Sequence, residues 1–253
     1  MKSLYVMAAC VLQASGNVTA ADAATSNAWQ TLGFDTGFNR WRKPVGAWFI
    51  TEAPALDPSR ARFLQDIKGT GACAVNGADG KEPYLVSKED YGDCEIHVEF
   101  MVAKNSNSGV YVMGSYEVQI FDSHAVVKDK YPGIECGGVY PQWIAGTNQN
   151  GHTPSVNVSK PYGEWQSFDI VFRAPRFNTT GVKTANATFV KVIHNGTTIH
   201  ENVEVLGPTH GGFSPEKAVG PLRLQGDHGP VAYRNVRIRP LVTSGHPIKG
   251  TLP

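Results

Sequence analysis

Two short runs hold side chains whose types and spacing could do chemistry. In Tyr116-Glu117-Val118-Gln119-Ile120-Phe121-Asp122, strand alternation puts Glu117 and Gln119 on one face. Asp122 joins them only if a β-bulge inserts one residue. Two carboxyl groups gathered in this way could act as acid and base, or as acid and nucleophile of a retaining glycosidase. The second run is Arg223-Leu224-Gln225-Gly226-Asp227-His228-Gly229, a strand ending in a glycine-flanked Asp-His pair. The imidazole would hang over the sheet edge, where it can serve as acid, base or metal ligand. Arg223 can pair with a structural carboxylate or steady an anionic intermediate. Both runs also have a bland reading, a solvated sheet face and a histidine that only hydrogen-bonds its own loop.

Strands must position these groups, and alternation is the dominant pattern from about residue 45 onward. In Cys94-Glu95-Ile96-His97-Val98-Glu99-Phe100, the aliphatic and aromatic residues take one face and Glu95, His97 and Glu99 the other. Val110–Met113 and Tyr116–Ile120 flank a tight Gly114-Ser115 link, which predicts a hairpin. Phe168, Ile170 and Phe172 alternate with Asp169, Val171 and Arg173. Phe189–His194 runs through Asn195-Gly196 into Thr197–His200, a second hairpin. Leu222–Gln225 and Ala232–Ile238 add two late strands, and no long stretch has a 3.6-residue period. Many antiparallel strands with one apolar face imply two packed sheets, a β-sandwich. If the aliphatic residues point inward, then Glu95, His97, Glu99, Tyr111, Met113, Glu117, Gln119, Arg223 and Gln225 share an outer, groove-like face. The stretch 124–163 shows no good strand and reads as long loops over one end or face.

Composition narrows the classes of function. Across 253 residues, 23 Lys and Arg balance 22 Asp and Glu for a net charge of +1, so nothing predicts a nucleic-acid partner. Hydrophobic residues at 41% against 18% charged exclude a disordered chain. Met1-Lys2, apolar residues from Leu4 to Leu12 and small residues at Ala20 and Ala23 read as a secretory signal peptide over 1–23, with a retained N-terminal helix as the alternative. Secretion or a periplasmic location follows from the first reading. No later stretch is apolar enough to span a membrane as a helix. One domain covers 24–242, and 243–253 reads as a frayed tail. Of four cysteines, Cys10, Cys73, Cys94 and Cys136, the mature chain keeps three, so at most one internal bridge can form. Cys73 and Cys94 could pair, or all could be buried thiols. Asn157, Asn178, Asn186 and Asn195 begin glycosylation tripeptides, relevant only in a eukaryotic source.

The offsets of Glu117, Gln119 and Asp122 match those of the three acids in laminarinase-type glucanases, with an amide replacing the middle acid. A closer resemblance is to the 3-keto-disaccharide hydrolase family, long catalogued as a domain of unknown function. It rests on Tyr91-Gly92-Asp93 through Phe100, Asn107-Ser108-Gly109-Val110-Tyr111, Tyr116-Glu117-Val118-Gln119 and Cys136-Gly137-Gly138-Val139-Tyr140. Gly163-Glu164-Trp165-Gln166, Phe172–Phe177, His194-Asn195-Gly196, Gly220–Gln225 and Arg234–Leu241 continue it in order, over about residues 30–241. The resemblance implies a concanavalin A-like jelly roll acting on glycosides already oxidised at C3. A C3 ketone acidifies the C2 proton, so a base can form an enolate, an acid can help the C1 oxygen leave, and water can add to the resulting enone. On this reading Glu117 or Asp122 is the base, raised in pKa by its carboxylate neighbour, His228 is the acid or a metal ligand, and Arg223 steadies charge. Gln119, Tyr111, Tyr140, Gln225 and His97 would contact sugar hydroxyls, and Trp165 would offer an apolar platform. A divalent cation held by carboxylates and His228 could replace Arg223 as electrophile. Two departures stand out. Val112-Met113-Gly114-Ser115 lacks the family's usual arginines, so Met113 loses a cation at a position expected to face the groove, and Gly226 is inserted before Asp227-His228. A non-catalytic carbohydrate-binding module and a retaining glycosidase are the competing classes.

Overall fold

A computed structural model describes residues 28–128 and 134–241. The proposed signal peptide, Cys10 and the C-terminal tail lie outside the described residues. The larger sheet runs β16 (Thr197–Val205), β15 (Ala187–His194), β12 (Gln166–Arg173), β7 (Cys94–Val102), β18 (Val231–Pro240), β5 (Cys73–Val75) and β2 (Phe49–Thr51), with β1 (Gln30–Thr31) pairing β18. The smaller sheet runs β6 (Leu85–Tyr91), β17 (Gly220–Leu224), β8 (Asn107–Val112) and β9 (Tyr116–Phe121). Three ribbons complete it: β3 (Leu56–Asp57) with β4 (Arg60–Leu64), β10 (Gln142–Ile144) with β11 (Thr147–Gln149), and β13 (Arg176–Phe177) with β14 (Lys183–Ala185). The pairings are antiparallel. Among the described residues no helix is long and apolar enough to cross a membrane.

The expected alternation produces this architecture. Ile96, Val98 and Phe100 of β7 and Phe168, Ile170 and Phe172 of β12 are buried, while the residues between them are half-exposed. Val110, Val112, Tyr116, Val118, Ile120, Leu222 and Leu224 face them from the smaller sheet and join the same core. Tyr116 of β9 meets Phe172 of β12 across the interface at 5.3 Å between ring centroids. The result is a jelly-roll β-sandwich.

Both expected hairpins form. Asn195 and Gly196 have φ of 50° and 82°, and Met113 and Gly114 have 53° and 67°, the left-handed pairs that match a hairpin's twist. The two sheets nevertheless differ on their outer faces. Strands β8, β9 and β17 are buried on both sides, because segments around 134–152 and 207–213 cover the smaller sheet. The loop reading of 124–163 holds for most of the described residues in that stretch, though they also include the β10–β11 ribbon. Cys73, Cys94 and Cys136 are buried free thiols.

Candidate active site

The single groove face expected from alternation divides between the two sheets. Glu95, His97 and Glu99 point outward from β7 on the larger sheet, away from the residues of β8, β9 and β17. They are held by polar contacts: His97 Nδ1 hydrogen-bonds Asp169 at 2.6 Å, and Glu99 and Glu95 form ion pairs with Arg234, at 2.6 Å, and Arg239. Trp165 belongs to this same surface, its ring covered by the Arg234 guanidinium at 4.0 Å. His97 and Trp165 are therefore not in the groove of the smaller sheet. Met113 leaves it too, tucked into the core at the hairpin turn.

The remaining outer residues of the smaller sheet converge. A cavity of about 150 Å³ is lined by Tyr84, Asn107, Tyr111, Glu117, Gln119, Tyr140, His210, Gly211, Gln225 and His228. Strict register between β8 and β9 sets Tyr111 opposite Glu117 and Gly109 opposite Gln119. Gly109 makes the room, since a Cβ there would lie 2.0 Å from Glu117 Oε1. Tyr140 N–H donates to the Glu117 carbonyl at 3.0 Å, and Glu117 N–H donates to Thr209 Oγ1 at 3.1 Å. These bonds cover the free edge of β9 with the two loops that roof the cavity. Gln119, with its amide turned to match donors to acceptors, donates to Glu117 Oε1 at 3.2 Å and to the Ser108 carbonyl at 2.9 Å.

Register also removes Asp122. No bulge interrupts β9, whose last residue, Phe121, pairs with Asn107. Asp122 lies beyond the strand and caps the β7–β8 turn, its Oδ2 accepting from Asn105 N–H at 2.9 Å. It cannot pair with Glu117, and the raised pKa expected from a carboxylate neighbour has another cause. Glu117 is only 2% exposed, and burial pushes its pKa up to about 8 against the opposing effects of a Tyr111 hydrogen bond and the Arg223 charge.

Arg223 stands behind the cavity rather than in its lining. Its guanidinium packs against Phe213, Tyr84 and Tyr111 at 4.1, 4.5 and 4.9 Å from the ring centroids. One nitrogen donates to the Gly114 and Gly211 carbonyls at 2.9 and 3.2 Å. It acts on the cavity through two phenol rings, whose own pKa values are raised chiefly by burial. Gln225 Nε2 donates to Tyr84 O–H at 2.7 Å. His228 Nδ1 lies 2.5 Å from Asp227 Oδ1, so the ring can donate there and leave Nε2 with a free lone pair. The inserted Gly226 fits where any side chain would collide, since a Cβ would lie 2.7 Å from the Glu82 and Pro83 carbonyls.

The cavity thus unites Glu117, Gln119, Tyr111, Tyr140, Gln225 and His228 and leaves out Asp122, His97 and Trp165. Tyr84, His210 and a site role for Asn107 were missed by sequence reasoning. Alternation outward from buried Leu85 could have found Tyr84, and the Thr209-His210-Gly211 segment repeats the glycine-flanked histidine of the Asp227-His228 loop. Of the carboxylates that could have held an alternative divalent cation, Asp122 is engaged at the β7–β8 turn and does not line the cavity. Among the described residues no group of three His, Cys, Asp or Glu is gathered to hold a metal ion.

A jelly-roll β-sandwich with a polar cavity roofed onto its smaller sheet is the class that the fold and the site define. Within that class, the chain belongs to the family of 3-keto-alpha-glucoside-1,2-lyase-like domains, matching it over residues 22–239. It is similar in fold to a provisionally assigned glycosyl hydrolase from Parabacteroides distasonis ATCC 8503, at 24% identity over 84% of each chain with a TM-score of 0.58. A second protein of the same provisional description from that organism shares 20% identity over 85% of this chain and 100% of its own, with a TM-score of 0.51. Among curated proteins none matches the chain.

Proposed function

We propose that the protein cleaves 3-keto-glycosides by elimination across C1 and C2 followed by hydration. The observation that carries this reading is the meeting, in one cavity, of a buried carboxyl group whose pKa burial raises and an imidazole backed by a carboxylate. This environment reverses the roles expected from sequence. Burial favours the protonated form of Glu117, which suits it as the acid, and the Asp227 contact at Nδ1 leaves Nε2 of His228 to act as the base. His228 Nε2 takes the C2 proton, and the C–H electrons form the enolate at C2–C3. The enolate then expels the C1 oxygen as the C1–C2 double bond forms, and Glu117 supplies the proton that oxygen needs. Water adds at C1, its proton going to the Glu117 carboxylate, while His228 returns its proton to C2. The hydroxyls of Tyr84 and Tyr111, kept protonated by burial and backed by the Arg223 cation, offer donors to the enolate oxygen.

The distance between Glu117 and Asp122 matters to the competing reading. Retaining glycosidases need a second carboxyl group roughly 5 Å from the first, whereas Asp122 is engaged at the β7–β8 turn. The test compares a glucoside with its 3-keto counterpart, with and without chelator, in D₂O. Cleavage of the keto substrate alone, with deuterium entering at C2 and turnover cut ~100-fold or more in both Glu117→Gln and His228→Ala, is the expected result. Hydrolysis of the unoxidised glucoside would support the retaining route. Sugar binding without turnover, unaffected by Glu117→Gln, would support a binding module.

A further inference from the structure

The cavity is only about 150 Å³, so on the reading above it takes one sugar unit and the rest of the glycoside lies outside it. His210 is part of its lining, and the Trp143 indole stacks on the His210 imidazole at 4.9 Å and 23°. Trp143 lies on β10, three residues beyond Tyr140, which lines the same cavity. His210 N–H donates to the Pro141 carbonyl at 2.8 Å, fixing the root of the β10–β11 ribbon beside the cavity. Gly207 lets the ribbon sit close, since a Cβ there would lie 2.4 Å from Gln142 Nε2. One ring face of Trp143 is thus occupied by His210, yet the residue is 54% exposed. Asn148 is its direct cross-strand partner and shares its face of the ribbon. A flat apolar ring beside an amide suits a second sugar ring, whose C–H face is apolar and whose rim carries hydroxyls.

We propose that Trp143 and Asn148 form the leaving-group subsite, selecting glycosides whose departing unit is itself a sugar. This inference rests on the 3-keto-glycoside reading for its substrate, though not for its geometry. The test is the ratio of kcat/KM for an α-linked 3-keto-disaccharide to that for methyl 3-keto-α-glucoside. In Trp143→Ala the ratio should fall about tenfold, as expected for exposing one apolar sugar face. Trp143→Phe should restore most of it, and Asn148→Ala should lower it by a smaller factor. A ratio unchanged in Trp143→Ala overturns the subsite, as does an equal loss on both substrates. Should the wild type cleave neither substrate, the reaction fails and the subsite is read by calorimetric titration with the unoxidised disaccharide. A Kd weakened by Trp143→Ala then supports it, and an unchanged Kd overturns it.

Discussion

Glu117 combines near-complete burial with a place in the cavity wall, and its raised pKa has two measurable consequences. As the proposed acid, with burial pushing its pKa up to about 8, it should make kcat/KM fall as pH rises through 8, and Glu117→Gln should remove that limb along with most of the activity. Were Glu117 the base, activity would climb through the same range. The linkage to stability runs the same way. The folded-state pKa lies above the unfolded value of 4.5, so the folded chain holds the extra proton between those values. Its stabilising effect is complete below about pH 4.5 and lost as pH rises through 8. Glu117→Gln should therefore gain stability relative to wild type between pH 5 and pH 9, by at most roughly 5 kcal/mol, read from chemical denaturation at each pH. Gly109 offers an independent probe. Its Cβ would strike the flexible end of Glu117 and not the backbone, so Gly109→Ala should cut kcat ~100-fold by displacing the carboxyl while circular dichroism still reports the folded sheet.

The hairpin β8–β9 is the element on which the site depends. Its strands follow from alternation and were legible in the sequence, but the link read at Gly114-Ser115 forms one residue longer, over 113–115, with Met113 and Gly114 in the left-handed region. The covering of its outer face was not, because the loops that bury Glu117 and Gln119 come from 134–152 and 207–213 and lack strand patterning. Asp122 shows the same limit, since its spacing is compatible with a bulge and only the continuous pairing of Phe121 with Asn107 removes it. Thr209 ties the covering to the strand by accepting from Glu117 N–H at 3.1 Å and donating to the Ser115 carbonyl at 3.2 Å. Thr209→Val keeps the shape but leaves a buried N–H unsatisfied, and should cost ~1–3 kcal/mol in urea unfolding.

Across the whole molecule, the two sheets carry different outer faces. The larger displays the Glu95 and Glu99 ion pairs and the His97–Asp169 hydrogen bond, the smaller the roofed cavity. His97→Ala should leave turnover of the 3-keto-glycoside unchanged and cost no more than ~1 kcal/mol of stability, whereas loss of turnover would return His97 to the site. The sandwich interior also holds the three thiols. Burial raises the Cys136 pKa to about 12 and raises those of Cys73 and Cys94, so none presents a thiolate. In the folded protein they should resist a thiol-specific reagent at pH 8, and all three should react in denaturant.

Alternation established the β-sandwich, the hairpins and the inward and outward directions read along β7, β8, β9, β12 and β17, because side-chain direction in a strand has a local period of two. Met113, read as outward, instead turns into the core where the strand ends. Which strands share a sheet is a long-range matter. Nothing local distinguishes Glu99, facing solvent from β7, from Glu117, closed in above β9. Sheet partition, uninterrupted register and the loops folded over one face separated them, and the resulting difference in hydration leaves one an ion-paired surface carboxylate and the other a buried acid.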